Sequence, residues 1–150
     1  MLKRIHVAAG ALALLTLLSF WTSSVWVECF QDEASVAAVK GTIVKGLFVL
    51  VPAMAAAGIT GASLSKGRGG MLVARKTRRM RILAAIGALL MIPAALFLNS
   101  KATAGEMDGL FYLVQALELT AGALQIRFMI LNVRDGLRMS GHLGGGLNHD

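Results

Sequence analysis

Polar and ionisable residues occur inside the last apolar stretch of the chain, at a spacing typical of one helix face. Gln115, Glu118, Gly122, Gln125 and Asn132 follow one another at intervals of three, four, three and seven residues. These intervals bring the five residues to one side of an α-helix. An ionisable group in apolar surroundings is costly, and it usually turns inward to a partner or a water-filled cavity. We therefore expect this stripe to face the interior of the molecule.

Lys45 is the predicted partner of Glu118. It lies roughly 9 Å from the outer end of the second helix if that end is near Val39, and Glu118 lies roughly 13 Å from Gly109, at about 1.5 Å per residue. A lysine side chain can span that difference. An ion pair between them would fix the register of two helices. An unpaired Glu118 would instead act as a protonatable relay for protons or small solutes. The sequence leaves both roles open.

His6 is the candidate haem ligand, at the start of the first apolar stretch. It stands in the string RIHVAAG at residues 4–10, which resembles the first helix of bacterial b-type membrane cytochromes of the cytochrome b561 type. The resemblance implies haem b bound by this histidine, or electron transfer linked to a quinone. His142, Met80 or Met139 would supply the second ligand. The alternative is an interfacial histidine bound to water or lipid head groups.

Other motifs of catalysis or metal binding are missing from the sequence. Cys29 is the single cysteine, which excludes an internal disulfide. It lies near three acidic residues, but the spaced cysteines and histidines of a zinc site are lacking. The glycines at 67, 69 and 70 are not followed by the Lys-Ser/Thr of a phosphate-binding loop. An enzyme acting alone, or a metal site, is therefore not predicted.

The composition indicates which solvent surrounds the elements that carry these residues. Hydrophobic residues make up 56% of the 150 residues and charged residues 15%, and the mean hydropathy is +0.68. Apolar stretches at residues 7–27, 42–64, 80–100 and 109–133 each reach the length of about 20 residues that a transmembrane helix needs. The chain is therefore predicted to be one all-α integral membrane domain, an antiparallel four-helix bundle.

The distribution of charge predicts the orientation. Basic residues flank the apolar stretches at residues 3–4, 66–81 and 134–138, whereas the other two connections are acidic. Positively charged segments stay in the cytoplasm, so both termini are predicted to lie on that side of a bacterial inner membrane. The basic run at 66–81 would meet anionic lipid head groups, and the tail at about 139–150 would be flexible. The net charge of +7 is thereby explained without nucleic-acid binding.

Small residues at four-residue spacing indicate helix packing surfaces. Ala53, Ala57 and Gly61 form one such set in the second stretch, and Ala84 and Ala88 form another in the third. Small side chains let the backbones of membrane helices approach closely. These surfaces favour a compact bundle, or docking of a helix from another subunit.

A broader resemblance concerns three segments: KGTIVK at 40–45, MIPAALFL at 91–98 and LNVRDGLR at 131–138. In these the chain resembles small uncharacterised four-helix inner-membrane proteins of proteobacteria. The resemblance implies location and topology, and it carries no activity. The leading hypothesis is a non-enzymatic accessory or assembly component that packs against other membrane subunits or against a copy of itself.

Overall fold

The computed structural model describes residues 1–66 and 70–139, and this part of the chain is all-α. Its helices are α1 (Leu2–Phe30), α2 (Glu33–Ser65), α3 (Met71–Ile86), α4 (Ile92–Thr103) and α5 (Gly109–Met139), and a π-helical turn (Gly87–Met91) joins α3 directly to α4. Because α3, the π turn and α4 are continuous, they form one long apolar helix. Within the described residues, four helices are long and apolar enough to cross a membrane. The prediction of four such helices is confirmed.

The helices extend beyond the apolar stretches from which they were predicted. α2 begins at Glu33, where the Asp32 carboxylate accepts a hydrogen bond from the Ser35 backbone N–H at 2.9 Å. Hydrogen bonding to Ser35 holds the pKa of Asp32 below its usual value. α3 begins at Met71, so the basic residues between Arg75 and Arg81 belong to the third helix. Hydropathy marks only the most apolar part of a helix, whereas capping and helix propensity decide where the helix ends.

The two prolines are accommodated differently. Pro52 lies inside α2, which continues through it. Pro93 follows the π turn, in which the Ile92 N–H donates to the carbonyl of Gly87, five residues back. A proline ring in a regular helix clashes with the carbonyl four residues before it, and it provides no N–H for that carbonyl. The wider turn ahead of Pro93 is one way to relieve this conflict.

Two buried apolar clusters hold the helices together. The first consists of Ala13, Leu17, Ala53, Leu83 and Met129. The second consists of Val27, Val36, Leu98, Ala102 and Phe111. Each cluster takes residues from all four long helices, so the bundle is closed at two separate levels. α1 packs mainly against α2 and also contacts α5, and α5 further contacts α3, the π turn and α4.

Candidate functional site

A buried ion pair joins α2 to α5. Lys40 Nζ donates a hydrogen bond to Glu118 Oε2 at 2.9 Å, and the two side chains are 1% and 8% exposed. Ser24 of α1, also buried, places its Oγ 3.5 Å from the same ammonium. Attraction between unit charges is strong where water is excluded, but the cost of removing both charges from water offsets much of it. The pair therefore specifies how the helices align more than it adds stability.

The structure corrects the predicted partner of Glu118. Lys45 is exposed, and Lys40 takes its place. The two lysines are five residues apart, which corresponds to roughly 140° of rotation about a helix axis. Their side chains therefore project from different sides of α2. The prediction compared only the depth of each residue along its helix and ignored this rotation.

The ion pair forms a polar layer between the two apolar clusters. Each of α1, α2 and α5 contributes one polar residue to this layer, namely Ser24, Lys40 and Glu118. Along its helix, each of them lies between residues of the first cluster and residues of the second. Apolar side chains on both sides limit the access of water along the bundle. A charge in this layer must consequently be neutralised by other groups of the layer.

Gln115 and Glu28 belong to the same region. Gln115 is 3% exposed, and its Oε1 and Nε2 are buried without a hydrogen-bond partner in the described part of the chain. Glu28 of α1 likewise has a buried Oε1 without a partner, and its charge interacts with those of Lys40 and Glu118. The sequence prediction considered Glu28 only as a loop residue, because the first helix was expected to end at 27. The spacing of four between Ser24 and Glu28 was the signal that placed both on one face.

No family model matches the chain, and no similar protein was found among curated proteins or solved structures.

The buried face of α5 continues beyond the ion pair. Gln125 Nε2 donates to the carbonyl of Leu83 at 3.3 Å, and Asn132 Nδ2 donates to Met80 Sδ at 3.3 Å. The buried residues of this face alternate at four and three positions: Phe111, Gln115, Glu118, Gly122, Gln125, Met129 and Asn132. This is the heptad pattern of a coiled-coil seam, in which polar residues at core positions commonly fix register.

His6 connects α1 to α2. Its Nδ1 lies 3.0 Å from the carbonyl oxygen of Ala57 and 3.1 Å from Thr60 Oγ1. Because a carbonyl only accepts, Nδ1 carries the hydrogen in this contact. Nε2 is then the nitrogen that a haem iron would have to use. Of the proposed second ligands, His142 lies outside the described residues, and Met80 accepts the hydrogen bond from Asn132. Haem binding stays a prediction.

The small-residue set of α2 packs inside the protein. Ala53 and Ala57 are buried, and Ala53 belongs to the first apolar cluster. A Cβ built on Gly61 would lie 3.0 Å from Cε1 of His6, so the imidazole rests directly against this backbone. These residues therefore let α1 approach α2 closely, and they are occupied by the chain's own first helix.

Lys101 organises the short connection before α5. Its ammonium lies 3.1 Å from Glu106 Oε2 and 2.7 Å from Asp108 Oδ2. Asp108 Oδ1 also accepts the backbone N–H of Phe111 at 3.0 Å, in the first turn of α5. The hydrogen bonds from Lys101 and Phe111 hold the pKa of Asp108 below its usual value.

Replacement of Asp108 by asparagine is expected to reduce the acid sensitivity of the protein. A depressed pKa means that the carboxylate adds stability above the pKa of the unfolded chain, about 3.9. This stability is lost as the pH falls through the lower pKa of the folded state. Thermal unfolding in detergent should show a lower Tm at pH 7 for Asp108→Asn and a smaller further decrease at acid pH. Parallel Tm profiles for the two proteins would contradict this role.

Proposed function

We propose that the protein is an integral protein of a bacterial cytoplasmic membrane, with its helices in antiparallel order and both termini in the cytoplasm. Four helices of sufficient length and apolar character support insertion. The alternation of basic and acidic flanks supports the orientation. Arg75, Arg78 and Arg81 are exposed on α3, where they can meet the phosphates of anionic lipids.

Within that membrane the protein serves as a non-enzymatic accessory or assembly component. The described connections at residues 31–32 and 104–108 are short, so the helices themselves offer the surface for a partner. The buried polar groups Ser24, Lys40 and Glu118 are directed at one another rather than at the lipid. The direct pairing of Glu118 with Lys40 favours a role in register over that of a relay for protons or solutes.

One observation carries the docking proposal. Of the two small-residue sets in the sequence, the set on α2 is occupied inside the protein, whereas Ala84 and Ala88 are exposed beside or within the π turn. Ala85 is exposed next to them. In lipid, where apolar contact alone gives little preference for protein over acyl chains, small residues favour helix association by allowing close packing. This face therefore suits a helix of another membrane subunit or of a second copy.

The double substitution Ala84→Leu with Ala88→Leu tests this docking face. The added side chains should hold a partner helix away and weaken association by about tenfold, equivalent to about 1.4 kcal/mol. Native mass spectrometry of the protein extracted in mild detergent would measure the fraction in complex and identify the partner.

Ala116→Leu provides the matched control. Ala116 is exposed on α5, a different helix from the one that carries Ala84 and Ala88, so the same kind of substitution, made once instead of twice, should leave the complex unchanged. An equal loss of complex in both variants would refute the assignment of the face. Extraction of the wild-type chain as a lone monomer would refute the docking function itself.

A further inference from the structure

A second carboxylate shares the environment of the Lys40–Glu118 pair. Glu28 lies one turn after Ser24 on α1, and Ser24 approaches the ammonium of Lys40. α1 packs against α2 and α5. The charged groups that these two helices bring within electrostatic range of Glu28 are the ammonium of Lys40 and the carboxylate of Glu118. Two carboxylates therefore depend on one buried cation.

The charges of this cluster do not balance when all three groups are ionised. The sum is one negative charge. Lys40 and Glu118 are buried, and Glu28 is half-buried with its Oε1 closed to water, so water stabilises the excess charge only in part. A metal ion would be repelled by the ammonium of Lys40, and the described residues include no group of three or more acidic, histidine or cysteine side chains arranged to hold one. A proton neutralises the excess charge without placing a second cation beside Lys40.

Gln115 lies at the level where that proton would sit. Trp21 Nε1 donates to the carbonyl of Leu119 at 2.9 Å, and Lys40 links Ser24, one turn further along α1, to Glu118. As the residue number increases along α1, the residue number at the same level of α5 therefore decreases. One more turn brings Glu28 to the level of Gln115, whose amide atoms are buried and without a partner. A protonated carboxyl is a donor, and the oxygen of Gln115 is an acceptor.

We propose that Glu28, Gln115 and the Lys40–Glu118 pair form a proton-binding site in which Glu28 is a neutral acid at neutral pH. Lys40 donates directly to Glu118, whereas the buried Oε1 of Glu28 has no partner in the described residues, so Glu28 is the carboxyl that takes the proton. Glu28 lies two residues before Phe30, the last residue of α1. The proton therefore exchanges with water at that end of the helix. This site does not depend on the docking function.

Infrared spectroscopy of the full chain in liposomes tests the site, because protonated and ionised carboxyl groups absorb at separate C=O stretching frequencies. At pH 7 the exposed acidic residues are ionised, since their usual pKa is about 4. The wild-type protein should nevertheless show one carboxylic-acid band, which disappears on titration to alkaline pH. The band should shift when the chain is made with ¹³C-carboxyl glutamate.

The conservative variant Glu28→Asp assigns the proton. The acid band should persist in this variant and lose its entire ¹³C-glutamate shift, because the protonated residue is then an aspartate. Glu33→Asp, at an exposed glutamate five residues further on, should keep the shift. Retention of the shift in Glu28→Asp would place the proton on another glutamate and overturn the proposal. Absence of any acid band from the wild-type protein at pH 7 would overturn it as well.

Discussion

Replacement of Lys40 by methionine is expected to lower the free energy of unfolding by about 3–5 kcal/mol, the range for removal of one member of a buried ion pair. Methionine keeps the unbranched stem of the side chain and removes its charge. The carboxylate of Glu118, whose side chain is 8% exposed, would then remain in the polar layer without its cation. Unfolding of the detergent-solubilised protein by increasing fractions of sodium dodecyl sulfate, followed by tryptophan fluorescence, would measure the loss.

Lys45→Met is the matched control for this substitution, since it makes the same chemical change in the same helix. Lys45 is exposed, and substitutions at such positions usually alter stability by less than about 0.5 kcal/mol. Similar stabilities for the Lys40→Met and Lys45→Met variants would exclude the buried pair. A double variant in which Glu118 is also replaced by methionine should recover most of the loss, because the uncompensated charge has been removed.

Recovery in that double variant would separate stability from specificity. An apolar layer can be as stable as an ion pair, yet it accepts several alignments of the helices. Glu118 occupies a core position in the heptad face of α5. A polar residue at such a position destabilises every helix register that leaves it without a partner. Disulfide trapping between cysteines placed on α2 and α5 should therefore give more than one product in the double variant.

The apolar helices and the buried face of α5 were predictable from sequence for physical reasons. Lipid demands long apolar segments, and a helix repeats its faces every three to four residues. Both signals are local, and they place Gln115, Glu118 and Gln125 inside the bundle. All three residues are buried. The identity of their neighbours depends on how separate helices are rotated against one another, which no local pattern contains.

Two charged residues of the cluster were missed for a common reason. The predicted spans at 7–27 and 42–64 covered only the most apolar part of each helix, and they left Glu28 and Lys40 just outside. In the structure α1 continues to Phe30 and α2 begins at Glu33. A prediction from composition places a charged residue near the end of a transmembrane helix outside the span. The side chain of such a residue can nevertheless turn toward a partner in the interior.

Replacement of Gly46 by alanine is expected to lower the free energy of unfolding by about 1–3 kcal/mol, the usual cost of overpacking. The ring of Phe20 on α1 lies against Gly46 on α2, where a Cβ would overlap the ring carbons. Trp21 makes a similar contact with Gly122 on α5, where a Cβ would lie 2.9 Å from Cδ1. Rings that rest on glycine backbones bring α1 close to both partners.

The sign of this effect tests the contact, because helix propensity acts in the opposite direction. In a helix interior, alanine is favoured over glycine by roughly 0.5–1 kcal/mol. Gly58 lies in the same helix with nothing within 4 Å of a Cβ built there, so Gly58→Ala should be neutral or stabilising. Gly46→Ala should be destabilising, and the added substitution Phe20→Leu should recover part of the loss. If Gly46→Ala stabilised the protein as much as Gly58→Ala, the Phe20 ring could not lie against Gly46, and α1 and α2 would have to be packed at a different rotation.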